Sequence, residues 1–320
     1  MIVNNPDFPV FANGDHLLDL GAAVGDEAFD DFFPGVLAMY TWKGRKMAFP
    51  FTTGCRVLWY NTELFEQAGL DPNDPPETWG ELLDYAEQLT MDTNGDGKVD
   101  VYGLAGGYAL KVAPAQELFT ASAGSFVNVD DNGTITPNVR TPEVRAWLDL
   151  IVSARPYYEP DFATIDHQQK STLFAQQKVA MMTAGFWPWA VNDGLDQQDF
   201  YELALIPRMD ESAPHGSFGG GFGIAVAKDT EYPEQATAFA QMMVAPENNW
   251  RLMTDIPASN AGLAQSNYVG DPKYTVFLEQ IQYARQAMPK TLYYVEIDSA
   301  IQEIAMRAVL GRYTIDQAID

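Results

Sequence analysis

Cysteine and histidine are scarce in this chain of 320 residues. The single cysteine, Cys55, excludes an intrachain disulfide and any metal site that needs several thiolates. The three histidines, His16, His167 and His215, lie far apart and lack the spacing of metal ligands. We therefore expect no cofactor held by these residue types.

Basic residues are also few: 19 Lys and Arg stand against 44 Asp and Glu, which leaves a formal net charge of −25. Such a field repels phosphate backbones and anionic lipid headgroups, so neither nucleic acid nor a membrane surface is an expected partner. No apolar run approaches the roughly 18 residues that a transmembrane helix needs. The sequence predicts a globular protein with an acidic surface.

Catalytic signatures are missing as well. The sequence contains neither a Gly-x-Ser-x-Gly elbow nor a Ser–His–Asp order. The stretch Gly219–Gly223 is rich in glycine, but no Lys-Ser/Thr follows it and its spacing is not G-x-G-x-x-G. We interpret this stretch as a flexible segment that permits unusual backbone angles rather than as a phosphate-binding loop.

Amphipathic helices alternate with short apolar segments along the chain. Capping signals predict helices that begin at Thr78, Thr141 and Thr314, and an apolar stripe from Ile297 to Ala308 predicts another. The strand-length apolar segments are Arg56–Tyr60, Val179–Thr183 and Gly223–Ala227. This alternation and the chain length together predict an α/β fold with two lobes.

An Asp-rich stretch from Met91 to Gly103 resembles a calcium-binding loop. Side-chain oxygens fall on alternating positions, and the backbone carbonyl of Lys98 would add another ligand; the side-chain ligands are Asp92, Asn94, Asp96 and Asp100. Position twelve is Gly103, where such loops carry a bidentate Glu. Two interpretations of this stretch stay open: a weak structural Ca²⁺ site, or a surface turn stabilised by local hydrogen bonds.

Aromatic residues are dense outside helical stripes, most clearly in Gly185–Trp189. Sugars stack their C–H faces on aromatic rings, whereas most rings of this kind lie in protein cores. We expect the Trp189 ring to pack inside the protein.

Several segments, taken in order, resemble a known family. From Phe49 the chain reads FPFTTGCRVLWYNTELFEQAGLDP and then PPETWGEL. VAMMTAGFW follows at Val179–Trp187, and later come Gly219–Lys228 and the C-terminal Met288–Asp320. Together these segments resemble the family 1 extracellular solute-binding proteins of ABC importers, and the resemblance covers essentially the whole chain.

The resemblance implies a type II periplasmic-binding-protein-like fold, with the ligand in a cleft between two lobes that close by hinge bending. The first lobe would comprise residues 1–58 and 223–274, and the second residues 59–222 and 275–320. The opening residues Met1–Asp7 look like the third strand of the family's first lobe and the loop after it. The resemblance therefore also implies that the family's first strand–helix–strand unit is missing.

Site residues are carried over from the family by position. The resemblance implies ligand contacts from Asn4, Asn5 and Asp7, from Gly54 and Cys55, and from Gln116 and Glu117. It also implies that the backbone of Gly220 and Gly221 borders the cleft, and that Trp187 is the ring that stacks on a sugar.

The implied function is capture of a small solute, most naturally a sugar or oligosaccharide, without catalysis. The implied partners are the transmembrane subunits of an ABC permease, and the protein would be a monomer in the periplasm or a lipoprotein on the cell surface. Two rivals stay open: a carbohydrate-active enzyme with a carboxylate pair and a calcium-stabilised fold, and a two-lobed receptor that signals.

Overall fold

The computed structural model describes residues 1–107, 125–129, 134–192, 194–252, 255–285 and 290–320. The chain forms two compact units. The first unit comprises Met1–Gly54, Gly219–Thr275 and Lys290–Tyr294. The second unit comprises Cys55–Phe218, Val276–Pro289 and Val295–Asp320.

The regular elements of the described residues are short strands and helices in alternation. The strands are β1 (Ile2–Asn4), β2 (Thr41–Trp42), β3 (Arg45–Lys46), β4 (Phe49–Gly54), β5 (Val57–Asn61), β6 (Tyr102–Leu104), β7 (Val127–Val129), β8 (Ile135–Pro137), β9 (Val179–Ala184), β10 (Tyr201–Ala204), β11 (Ser217–Phe218), β12 (Gly220–Ile224), β13 (Ile256–Pro257) and β14 (Ala284–Arg285). The helices are α1 (Phe8–Asn13), α2 (Leu20–Val24), α3 (Pro34–Met39), α4 (Thr62–Ala68), α5 (Trp79–Gln88), α6 (Pro142–Ala154), α7 (His167–Ala175), α8 (Trp187–Val191), α9 (Pro233–Val244), α10 (Pro246–Leu252), α11 (Asn260–Gln265), α12 (Pro272–Gln280), α13 (Tyr294–Val309) and α14 (Ile315–Ile319). None of the described helices combines the length and apolar character needed to cross a bilayer.

The first unit is built on a four-stranded antiparallel sheet in the order β1–β12–β4–β13. Aromatic rings fill the core beside this sheet: Phe29 stacks on Phe49 with ring centroids 4.9 Å apart, and Phe8 meets Tyr40 edge-on at 5.4 Å. All four rings are almost completely buried. Burial of these rings supplies much of the stability of the unit.

The glycine-rich stretch lies inside this sheet. The prediction of a flexible segment there was wrong, because β12 runs from Gly220 to Ile224 between two neighbouring strands. Glycine is required at two positions by close approach: an added Cβ would lie 2.1 Å from the Thr52 carbonyl oxygen at Gly221 and 2.8 Å from the Tyr40 ring at Gly223. The strand expected at Gly223–Ala227 therefore begins and ends three residues earlier, at Gly220–Ile224.

The second unit is built on a mixed four-stranded sheet in the order β10–β5–β9–β6, in which only β6 and β9 run parallel. Trp59 of β5 lies at the centre of its aromatic core, with ring centroids 5.2 Å from Tyr201, 5.1 Å from Trp189 and 6.1 Å from Phe174. Trp189 therefore packs against this core, although it remains partly exposed, as Trp187 does. It packs there from α8 rather than from an extended strand.

The predicted helix starts are confirmed. Thr78 and Glu81 form a reciprocal capping box at α5, and Thr314 and Gln317 form another at α14. The Thr141 side chain accepts a hydrogen bond from the Val144 N–H at the start of α6. The capping side chains accept hydrogen bonds from N–H groups that have no partner within the helix. Because cap and donor lie a few residues apart, these helix starts can be predicted from the sequence.

Candidate functional site

Trp187 lies at the first position of α8, just after β9 and Gly185-Phe186. Its ring covers Gly185 so closely that a Cβ there would lie 2.4 Å from the ring atom Cζ3. The residue is partly exposed, while its indole Nε1 is buried and has no hydrogen-bond partner among the described residues. Trp187 thus combines an accessible ring with an unused donor.

Two basic side chains surround the Trp187 ring. The guanidinium carbon of Arg56 lies 5.4 Å from the ring centroid, and the His167 ring meets it edge-on at 5.8 Å. Burial lowers the pKa of His167, and the positive charges of Lys170 and Arg56 lower it further against the opposing charge of Asp166.

Three charged residues of the second unit are buried as whole residues: they are Arg56, Glu159 and Lys170. Lys170 Nζ donates a hydrogen bond of 2.8 Å to the carbonyl oxygen of Thr183 in β9. Burial raises the pKa of Glu159, although backbone N–H donors and the Lys170 charge oppose that rise. Buried charges with perturbed pKa values concentrate at functional sites. The sequence offered no local pattern that identifies Glu159, Lys170 or His167.

Glu159 holds the backbone that follows β6. Its two carboxylate oxygens accept hydrogen bonds from the Gly106 and Gly107 N–H groups at 2.8 and 2.7 Å. Side chains are excluded at both glycines, because a Cβ would lie 2.5 Å from the Tyr158 ring or 2.6 Å from Ile165. The predicted contacts Gln116 and Glu117 lie outside the described residues.

Cys55 is the first residue of the second unit, and its side chain is buried. Its Sγ lies 3.4 Å from the carbonyl oxygen of Phe277 and donates to it. The carbonyl oxygen of Cys55 lies close to Gly185, since a Cβ added there would be 3.3 Å from it. Its side chain therefore contacts the interior of the unit.

In the first unit, the three predicted ligand contacts near the N-terminus differ in how exposed they are. Asn4 and Asp7 are exposed, whereas Asn5 is only 2% exposed. The Asn5 backbone N–H donates to the Gly221 carbonyl oxygen at 3.2 Å, and Asn5 Oδ1 accepts from the Gly221 N–H at 3.4 Å. Asn5 Nδ2 is buried without a hydrogen-bond partner among the described residues.

The predicted glycines meet in neighbouring strands of the same sheet, where Gly220 of β12 lies opposite Gly54 of β4. The Gly221 carbonyl oxygen also accepts a bond of 2.7 Å from the buried Tyr40 hydroxyl. A Cβ at Gly54 would meet nothing within 4 Å. The structure thus brings Gly54, Gly220 and Gly221 together in one sheet, and Asn5 is bonded to that sheet from the turn after β1.

An acidic residue that the sequence did not single out lies beside this sheet. Burial of the Asp255 carboxyl group raises its pKa to about 6, and a hydrogen bond with Thr52 lowers it only in part. The rings of Tyr268 and Tyr274 stack on each other nearby, with ring centroids 4.1 Å apart. Burial is the main cause that raises the pKa of Tyr268, and the charges of Tyr274 and Asp255 raise it further.

Asp255→Asn is expected to change how the stability of the protein depends on pH. The folded protein holds the Asp255 proton up to about pH 6, above the ordinary value of 3.8, so it binds more protons than the unfolded chain between these values. The contribution of Asp255 to the free energy of unfolding of the parent therefore falls as pH rises from about 4 to about 6. Above about pH 6 this contribution no longer changes with pH. Because Asp255→Asn lacks this titrating group, its free energy of unfolding should increase relative to that of the parent as pH rises from about 4 to about 6. Urea unfolding at pH 4, 5, 6 and 7 measures it, and a difference that does not vary with pH would contradict the assignment.

The Asp-rich loop is exposed and held by its own side chains. Asp92 accepts bonds of 2.7 Å from the N–H groups of Gly95 and Gly97, and these bonds, led by that from Gly97, lower its pKa. Asn94 and Asp96 each accept from the N–H two residues ahead. Asp100 accepts from Thr93, and the Lys98 backbone is part of the same turn. Among the described residues, no group of three or more His, Cys, Asp or Glu side chains is placed to hold a metal ion.

Calcium binding by this loop stays a prediction, and any binding should be weak, because its carboxylates would have to accept the ion while already bonded to backbone N–H groups. Calorimetric titration with calcium chloride should give a weak isotherm for the parent and none for Asp96→Ala. Equal flat traces for both proteins would end the calcium interpretation and leave a hydrogen-bonded turn.

Residues 1–250 match the model of a family described as bacterial extracellular solute-binding protein. The chain is 45% identical over 235 residues to the sn-glycerol-3-phosphate-binding periplasmic protein UgpB of Salmonella typhimurium, an alignment that covers 69% of this chain and 51% of that protein. The chain spans about half the length of the curated relatives it matches.

Solved structures share the fold at lower identity. An ABC transporter solute-binding protein from Thermotoga lettingae, bound with α-D-tagatose, aligns with a TM-score of 0.83 and 24% identity, over 99% of this chain and 81% of that chain. The ABC substrate-binding protein Lmo0181 from Listeria monocytogenes, in complex with cycloalternan, aligns with a TM-score of 0.80 and 19% identity, over the same shares. At these identities the likeness concerns the fold.

Proposed function

Because this chain belongs to the family of bacterial extracellular solute-binding proteins, we propose that it captures a small solute for an ABC importer without changing it chemically. The observation that carries the proposal is the arrangement at Trp187. A partly exposed ring, an unused buried indole N–H and two flanking basic side chains lie together at the start of one short helix. Such a set binds a molecule that has both an apolar face and oxygen acceptors.

Sugars and polyols have this chemistry, and so do their phosphate esters. The ring face would bury the C–H groups of such a solute. The names of related proteins support the same range, since one binds sn-glycerol 3-phosphate and others have been solved with tagatose or cycloalternan.

The family is one of transport proteins, and we propose that this member is likewise no enzyme. The rival, a carbohydrate-active enzyme, requires a pair of carboxylates at the site. Glu159 is a buried carboxylate of the second unit, and its oxygens are used to hold the Gly106 and Gly107 backbone. Incubation with an oligosaccharide should leave it intact, and release of reducing ends would favour the enzyme.

A thermal-shift screen tests the proposal with three probes: sn-glycerol 3-phosphate, D-tagatose and cycloalternan. A probe at about 100 times its dissociation constant stabilises the folded state by roughly 2.7 kcal/mol, so one of them should raise the melting temperature in a saturable manner. Sucrose at equal concentration controls for general osmolyte stabilisation. Failure of all three probes would count against this range of solutes.

The setting of this activity is part of the same proposal. We place the protein in the periplasm or, as a lipoprotein, on the cell surface, as a monomer that docks on the transmembrane subunits of a permease. Closure by hinge bending stays a prediction, which small-angle scattering with and without a bound probe would test. The signalling receptor remains a rival that permease reconstitution would separate, because only a transport subunit supports uptake.

A further inference from the structure

We propose that Arg56 is a positioning residue that fixes the Trp187 ring and thereby sets the affinity for solute. This inference rests on the proposed function, because that function assigns the Trp187 ring to the ligand. The guanidinium carbon of Arg56 lies 5.4 Å from the Trp187 ring centroid and 5.6 Å from the Phe218 ring centroid. A cation within about 6 Å of a ring centroid is attracted to its electron-rich face, most strongly for tryptophan.

The backbone of Arg56 is itself held in place. The Arg56 N–H donates to Ser217 Oγ at 3.0 Å, and the Ser217 hydroxyl donates back to the Arg56 carbonyl oxygen at 3.0 Å. Ser217 is completely buried and belongs to β11, which pairs with β14. The guanidinium therefore extends from a fixed point toward both rings.

The burial of Arg56 argues for a role other than stability. Only 8% of the residue is exposed. Removing a guanidinium from water is costly, and apolar side chains of similar volume often stabilise a protein as well or better. What the cation adds is a directional attraction that holds a ring in one orientation.

Other contacts restrain the same ring from different directions. Gly185 leaves no room between its backbone and the ring edge, and the His167 ring stands nearly perpendicular to the indole at an angle of 82°. With Arg56 these contacts restrict rotation of a side chain that is partly exposed. A ring fixed before binding loses less conformational entropy when the ligand arrives, which increases affinity.

Fluorine NMR of protein labelled with 5-fluorotryptophan measures ring orientation without any ligand. The chain has seven tryptophans, and the Trp187 resonance is the one that disappears in Trp187→Phe. Arg56→Met removes the charge and keeps much of the stem, and Arg56→Gln is a second neutral variant should the first fail to fold. Arg56→Lys keeps the charge. Arg251→Met is the matched control, because Arg251 lies 4.9 Å over the Trp250 ring in the first unit.

Arg56→Met should shift or broaden the Trp187 resonance and weaken binding of the tightest of the three probes by roughly five- to tenfold. Arg56→Lys should retain most of the affinity, and Arg251→Met should move only the Trp250 resonance. A Trp187 resonance that is unchanged in the neutral variants would overturn the positioning role, whatever the protein binds. A moved resonance with parental affinity would overturn the link to affinity, while failure of every probe to bind the parent would contradict the proposed function itself.

Discussion

Gly221→Ala is expected to lower the free energy of unfolding of the first unit by about 3 kcal/mol. The new Cβ would lie 2.1 Å from the Thr52 carbonyl oxygen, and real Cβ contacts do not come below 3.0 Å. The clash is with backbone atoms, so no side-chain rotation relieves it. Either β12 or β4 must move apart, which would weaken the hydrogen bonds that the Gly221 carbonyl oxygen accepts from Tyr40 and Asn5.

Gly54→Ala is the matched control, because it makes the same change in the neighbouring strand. A Cβ at Gly54 meets nothing within 4 Å, so the free energy of unfolding should stay within about 0.5 kcal/mol of the parental value. Urea unfolding, followed by circular dichroism, compares the two variants. Equal stability of Gly221→Ala and Gly54→Ala would contradict the close strand approach.

Trp187→Ala is expected to weaken solute binding by about 2–3 kcal/mol, which is roughly 30- to 150-fold. Loss of about 60 Å² of apolar contact accounts for about 1.5 kcal/mol, and the attraction specific to the ring adds about 0.5–1.5 kcal/mol. Trp187 is partly exposed and opens a short helix, so its removal should leave the fold intact. Circular dichroism checks the fold before binding is measured.

Two further variants separate the contributions of this side chain. Trp187→Phe keeps an aromatic face, so binding through the ring face predicts that most of the affinity is retained. Trp250→Ala removes another partly exposed tryptophan, in the first unit, and should leave affinity unchanged. Parental affinity in a folded Trp187→Ala would show that this ring does not contact the solute.

Much of the fold could be predicted because its signals are local. The capping residues Thr78, Thr141 and Thr314 lie within three positions of the N–H groups they satisfy. The predicted α/β architecture is confirmed by the two sheets with their helices and by the likeness to solved solute-binding proteins.

The errors concern features set by distant parts of the chain. Glycine is a poor strand former, so composition alone predicts a flexible segment at Gly219–Gly223, whereas the family resemblance implies a Gly-rich strand at Gly219–Lys228. Its place in β12 depends on Thr52 and Tyr40, which lie more than a hundred residues away in sequence and fill the space beside it. No local pattern could show that contact.

The candidate site was predictable only in part for the same reason. The role of Trp187 stays a prediction from the family resemblance, and the structure adds Arg56 and His167 around its ring. These residues come from separate segments, and only folding brings them together. The hydrogen bond from the buried Lys170 to the Thr183 carbonyl oxygen likewise could not be predicted from the spacing of residues in the sequence.

The central claim is that this protein binds a small solute through the Trp187 ring without altering it. Calorimetric titration of the parent and of folded Trp187→Ala, with whichever of sn-glycerol 3-phosphate, D-tagatose or cycloalternan gives the largest thermal shift, tests it most directly. The account predicts a saturable isotherm with one solute per chain, at least about 30-fold weaker binding in the variant, and recovery of the solute unchanged. Equal affinity in the two proteins, or a solute that is consumed, would contradict it.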